Sequence, residues 1–249
     1  MNGRVSSGIE GLDLLLGGGY LPGRTVVISG GPGTGKSVIS WQFLFDGSHH
    51  GERGVLMSLD QSSESILADM RSFRNFPEEE YRRGSIKILS GAITVVATPG
   101  GYEYVISFEE AGQREKPLSV ERLASYLVDA ITRTGARRVV IDGLGPLLEM
   151  ADNRFEMRQT VYSFLRQVRS RDTTVIVTHE MRSGGVGDDL PHFMADGVIR
   201  LDMTQYGGEY VRVLQVVKMR GTGHVMKPVL FKIGTDGVQV FPETKIADR

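Results

Sequence analysis

The sequence predicts an α/β domain with a largely parallel central sheet, and three observations predict it. Short apolar runs of strand length alternate with longer stretches of helical period through most of the chain. A glycine-rich segment, Gly30-Gly31-Pro32-Gly33-Thr34-Gly35-Lys36-Ser37, separates the first such run, Thr25 to Ile28, from the helix-patterned Val38 to Leu44. After Gly197 the helical pattern gives out and β-rich runs follow one another, which extends the sheet with mostly antiparallel strands. The 249 residues suffice for one large core, and residues 1–249 read as a single domain with a β-hairpin inserted at about 92–118.

In chain order, Leu12 to Leu16 makes a short helical turn before Gly17-Gly18-Gly19, expected as a flexible loop. Gly35 to about Ser48 is a helix with Ile39, Phe43 and Leu44 on one face. Val55 to Leu59 is a strand, Ser63 to Phe73 a helix with Ile66, Leu67, Met70 and Phe73 aligned, and Ile86 to Leu89 another strand. Ile93 to Ala97 and Tyr102 to Phe108 flank Thr98-Pro99-Gly100-Gly101 and read as the inserted hairpin, either decoration or an arm for a partner. Ser119 to Thr134 is amphipathic, Val139 to Ile141 is a buried strand ending at Asp142, Asn153 to Arg171 is a helix, and Thr173 to Thr178 a strand. The tail strands fall at Val198 to Leu201, Tyr210 to Lys218, Pro228 to Ile233 and Val238 to Phe241.

The glycine-rich segment matches G-x-x-x-x-G-K-[ST] in strand–loop–helix context, the arrangement that surrounds a polyphosphate with main-chain amides and a helix N-terminus. Gly31, Gly33 and Gly35 bring bare backbone to phosphate oxygens, Pro32 stiffens the turn, and Thr34 and Val38 lie beside it. Lys36 reaches the β- and γ-phosphates as a point charge, and the Ser37 hydroxyl ligates Mg²⁺. Asp142, at the carboxyl end of its strand, is placed to hold the hydrated metal. Asp60 and Gln61 reach the same sheet edge, where a carboxylate polarises and an amide orients a water; Asp60 alternatively caps the following helix. Alternation puts Lys218 and Arg220 on one strand face, aimed either at one anion or at surface ion pairs.

Composition removes several classes of function. Net charge is −1, so no general basic field argues for nucleic acid or membrane. There is no cysteine, hence no disulfide or thiolate metal site, and the five histidines show no ligand spacing. His49 and His50 read as solvated, the arginines at 154, 158, 166, 169 and 171 as a solvated helix face, and Trp41 as core. No apolar signal core or span-length run occurs, so a cytoplasmic protein without membrane contact is expected.

Ser7-Gly8-Ile9 with Leu12-Asp13, the triple glycine, the phosphate loop, the strand ending in Asp142, and Lys218-Met219-Arg220-Gly221-Thr222 followed by His224 resemble a KaiC-type ATPase domain of the RecA-like superfamily, from about Val5 to Pro242. The resemblance implies a RecA-like P-loop NTPase that binds ATP and Mg²⁺ between subunits of a ring homo-oligomer, usually a hexamer. It implies that Lys218 and Arg220 reach the neighbour's γ-phosphate, with Met219, Thr222 and His224 close by, and that Ser72 lies near the base or ribose. Two departures stand out. Asp60-Gln61 replaces the family's adjacent glutamates, so turnover is expected to be slow while binding survives. His192 and Phe193, expected in a strand, replace the hydroxyls that the clock protein phosphorylates, so its autophosphorylation cycle is not expected. The reading is a regulatory Mg²⁺-dependent ATPase with an unidentified protein partner. The alternatives are a non-hydrolysing ATP-gated scaffold and a DNA-binding recombinase relative. The last is disfavoured because the loop from His179 to Pro191 sets Arg182 against Asp188 and Asp189.

Overall fold

In the computed structural model, eleven strands form one continuous sheet among the described residues, which are 3–99, 101–108, 116–117, 119–149, 153–170, 172–181 and 190–244. The elements are α1 (Glu10–Leu15), β1 (Thr25–Gly30), α2 (Lys36–His49), β2 (Gly54–Ser58), α3 (Ser63–Arg71), α4 (Glu78–Arg82), β3 (Ile86–Thr98), β4 (Gly101–Phe108) and β5 (Lys116–Pro117). They continue with α5 (Val120–Thr134), β6 (Arg138–Asp142), α6 (Gly145–Glu149), α7 (Arg154–Val168), β7 (Thr174–Glu180), α8 (Leu190–Met194), β8 (Gly197–Tyr206), β9 (Glu209–Met219), β10 (Val229–Gly234) and β11 (Gly237–Phe241). The order across the sheet is β11-β10-β9-β8-β1-β7-β6-β2-β3-β4-β5, parallel from β8 to β3 and antiparallel toward both edges.

Period-two alternation divides the parallel strands between two cores. Val26, Ile28, Leu56, Val140 and Ile176 pack with α1, α2 and α3 on one side. Val27, Met57, Val139, Ile141, Val175 and Val177 pack with α5, α6 and α7 on the other. Side-chain caps fix where three helices begin: Ser62, Ser119 and Asn153 accept from the amides of Ser65, Arg122 and Glu156. Each such cap contributes about 1 kcal/mol.

Several boundaries differ from the sequence reading. Ile86–Leu89 and Ile93–Ala97 belong to one strand, β3, which pairs parallel with β2 over its first half and antiparallel with β4 over its second. Gly91 at the changeover makes room for a ring, since a Cβ there would lie 3.0 Å from Phe108 Cε1. The base of this hairpin is built into the domain, because Phe108 is buried and stacks on Tyr126 of α5 at 3.8 Å. Gly100 and much of 109–118 lie outside the described residues. The sequence pattern does not predict the short helices α4, α6 and α8, and His192 and Phe193 sit in α8 rather than in the expected strand. Strand β8 continues to Tyr206 instead of stopping at Leu201, because its exposed end is held by pairing with β9 rather than by apolar burial. Helix α7 ends at Val168, and Arg169 leaves it to meet the buried Asp196.

The triple glycine is tied down rather than loose. All three residues have positive φ, and a Cβ on Gly19 would meet the Val5 carbonyl oxygen at 2.6 Å. No helix among the described residues is long and apolar enough to cross a membrane.

Candidate functional site

The carboxyl ends of the parallel strands open onto a cleft of about 430 Å³ lined by the loop after β1 and by residues from β2, β6 and β7. Strand β1 is buried throughout, so it presents the loop from a fixed root. Gly35, at φ 102, starts α2; glycine is required there by conformation, and a Cβ would also press on the Ile233 Cδ1 methyl of β10 at 2.6 Å. A Cβ on Gly31 or Gly33 would meet nothing within 4 Å, so these residues leave backbone facing open space. Thr34 is buried and its Oγ1 donates to the Gly31 carbonyl at 2.8 Å. Val38 packs its side chain on the core behind the loop. Pro32 and Gly33 line the mouth of the cleft.

Lys36 curls back over the loop, and its Nζ donates to the carbonyls of Gly30 at 2.9 Å and Gly31 at 2.8 Å. Burial pushes its pKa down, opposed by the charges of Glu180 and Asp142. The Ser37 hydroxyl donates to Asp142 Oδ1 at 3.3 Å, and Thr178 on the intervening strand β7 donates to the same oxygen at 2.5 Å. Burial raises the Asp142 pKa, and the Thr178 and Ser37 hydrogen bonds and the Lys36 charge oppose the shift. One carboxylate beside one hydroxyl suits a hard divalent cation that takes its remaining oxygens from water and phosphate. Among the described residues no cluster of three or more acidic or histidine side chains forms a self-sufficient metal cage.

Asp60 and Gln61 line the same cleft, as expected. The N-cap of α3 is Ser62, whose hydroxyl accepts from the Ser65 amide. Gly143, at φ 95, makes way for Asp60: a Cβ there would lie 2.5 Å from Asp60 Oδ2. Gln61 is fixed through its backbone, whose carbonyl accepts from Ser90 Oγ at 2.7 Å.

Four site features escaped the sequence reading. Thr178 was read only as a strand end and Glu180 only as a loop residue, although both close a buried strand at the ligand edge. Gly143, the residue after Asp142, carries the clearance for Asp60. Arg212 of β9 donates through Nε and Nη2 to the Gly33 carbonyl, each at 3.3 Å, a contact no local pattern announces.

The remaining expected residues do not line this cleft. Lys218 is partly buried, and its Nζ donates to the carbonyls of His192 at 3.0 Å and Ala195 at 2.6 Å, at the end of α8. Burial lowers its pKa, Arg220 adds to that, and Asp196 opposes it. Strand β9 stops at Met219, so Arg220 lies in the following turn rather than sharing a strand face with Lys218. Its guanidinium is exposed and has no acidic partner among the described residues. The Met219 side chain is buried against Gly197, leaving only its backbone for any ligand. Thr222 and His224 continue the turn, and Ser72 caps the end of α3 on the surface, donating to the Asp69 carbonyl. Arg182, Asp188 and Asp189 lie outside the described residues.

A phosphate loop on β1, an acid at the end of β6 and a single strand between them define a RecA-like P-loop NTPase domain. The chain belongs to the KaiC ATPase family, whose sequence profile matches residues 5–245. A UPF0273 protein of Aeropyrum pernix is 34% identical over 247 residues, covering 96% of this chain and 94% of that protein. The circadian clock oscillator protein KaiC of Parasynechococcus marenigrum is 29% identical over 243 residues, covering 96% of this chain but 45% of that longer protein. The crystal structure of a KaiC-like protein from Pyrococcus horikoshii superposes with a TM-score of 0.79 at 28% identity, covering 97% of this chain and 100% of that one. Nucleotide binding and ATPase chemistry therefore hold at the level of the family.

Proposed function

We propose that the protein binds ATP with Mg²⁺ in this cleft and hydrolyses it slowly to ADP and phosphate at interfaces between copies of the chain in a ring, a hexamer on the family resemblance. The observation that carries the reading is a mismatch of charge. The cleft offers Lys36 against Asp60, Asp142 and Glu180, too few cations for a triphosphate, while Lys218 and Arg220 stand outside it. A bound divalent ion and cations lent by an adjoining copy make up the deficit.

In this reading, Lys36 and the loop amides stabilise charge on the β- and γ-phosphates. Ser37 and Asp142 hold the metal, with Thr178 fixing the carboxylate. Magnesium, when bound, supplies Lewis-acid neutralisation of phosphate oxygens. Asp60 takes a proton from the attacking water, Gln61 helps orient it, and Lys218 and Arg220 complete the neighbour's site. Ser72, Met219, Thr222 and His224 belong to the nucleotide's surroundings at that interface. The output is regulatory, through a protein partner, in a cytoplasmic setting.

Light scattering with and without ATP, with phosphate release followed on the same sample, tests the proposal. ATP-dependent assembly with Mg²⁺-dependent release is expected; a monomer that releases phosphate at the full rate overturns the interface. A second reading, the ATP-gated scaffold, is favoured by the short Asp60 and the neutral Gln61. Assembly and ATP binding without phosphate release above background select it.

A further inference from the structure

We propose that Arg4 is a positioning residue for the turn at 220–224, setting where this chain's cations meet the adjoining copy's nucleotide. The inference rests on the interface reading above and adds the part that aims it.

The guanidinium of Arg4 joins three segments. Nη1 donates to the carbonyls of Leu16 at 3.1 Å and Gly19 at 3.0 Å, and Nη2 donates to Thr222 Oγ1 at 2.7 Å. The Thr222 hydroxyl passes its own hydrogen to the Gly223 carbonyl at 3.1 Å, so its direction is fixed. Leu16 caps the C-terminus of α1, and Gly19 closes the triple-glycine loop, which the Val5–Tyr20 bridge holds in place. Arg4 thus refers the turn to a rigid base.

Among the described residues, backbone bonds hold the turn only at its two ends, Arg220 N to the Asp196 carbonyl at 2.9 Å and Val225 N to the Leu15 carbonyl at 3.0 Å. Gly221, at φ 81, and Gly223 lie between those ends, where the chain resists displacement least. Within that span the Thr222 hydroxyl supplies a side-chain tie, to Arg4. Arg4 has no carboxylate partner among the described residues, so an ion pair does not account for it. A planar fork meets three acceptors in different directions, which the single ammonium of a lysine cannot reproduce. Misplacing a catalytic group by about 1 Å costs on the order of a hundredfold in rate.

The test compares Arg4→Met, Thr222→Val and Arg220→Ala, each alone and mixed with Lys36→Ala, whose own loop is disabled but whose 220–224 turn is intact. Arg4→Met alone is expected to bind ATP as the parent does and to lose roughly tenfold or more in kcat with little change in KM. Mixed with Lys36→Ala it regains activity, because the lender's turn is correctly set. The double variant Arg4→Met/Thr222→Val falls no further than the worse single one, and Arg4→Lys lies between. Thr222→Val leaves the two carbonyl bonds of Arg4 intact and carries the test should Arg4→Met not fold. A parental rate for Arg4→Met overturns the proposal. So does failure of its rescue while Arg220→Ala is rescued, or a double variant whose losses multiply. If Arg220→Ala is not rescued either, the interface reading itself falls.

Discussion

The two ends of the proposed site are finished to different degrees within one chain. At the phosphate loop the polar groups already have partners: Lys36 sits on its loop carbonyls and Asp142 holds the hydroxyls of Ser37 and Thr178. At the end of β9, Lys218 is parked on the α8 carbonyls and Arg220 stands exposed on a turn tied at its two ends and at Thr222. In the proposed function the first region receives charge and the second supplies it to an adjoining copy.

The largest expected break in that comparison is Arg220→Ala, which leaves the fold and ATP affinity intact and lowers turnover by about a thousandfold if the arginine acts on the transferring phosphoryl. Rapid-quench phosphate release measures it, and mixing with an Asp60 variant restores part of the rate. Lys36→Ala attacks the receiving end, and calorimetry is expected to show at least about a hundredfold loss of ATP affinity. Unchanged binding removes Lys36 from its role. Gly143→Ala sharpens the picture of the water site: its methyl displaces Asp60, so turnover falls on the order of tenfold to a hundredfold with binding spared.

Asp142→Asn separates stability from function. Because burial raises the Asp142 pKa, the folded ligand-free protein holds the proton more tightly than the unfolded chain. That contribution is complete below the ordinary carboxylate pKa and is lost as pH rises through the folded value. At neutral pH the asparagine variant is therefore expected to melt higher than the parent without ligand, to lose this advantage on acidification, and to require more Mg²⁺ for activity. Calorimetric melts across that pH range decide it. The smallest effect is Ser119→Ala, about 1 kcal/mol at the start of α5, far from either end, with activity unchanged below the melting transition.

The parallel half of the fold was legible because it obeys short-range rules. Apolar runs such as Val139–Ile141 fix strands, and the glycine-lysine signature fixes the loop between β1 and α2. Asp142 was legible for the same reason, as an acid ending a buried run. What was lost depends on contacts between distant segments. Nothing near Thr178 says that its hydroxyl meets an aspartate 36 residues away, and nothing near Arg212 points to a loop carbonyl 179 residues earlier. The division of β3 failed because pairing on two different partners, not local composition, makes it one strand. Lys218 and Arg220 gave a motif, but the turn that separates them from a shared strand face is set by Asp196 and Leu15.

Asp196 has a mechanical consequence. Its carboxylate receives the Thr25 amide at the root of β1 and the guanidinium groups of Arg24 and Arg169, while its carbonyl receives the amide of Arg220. The strand that feeds the phosphate loop and the turn that carries Arg220 are thus pinned to one hub. A push on that turn loads the foot of the strand directly, as torque on a crank loads its axle.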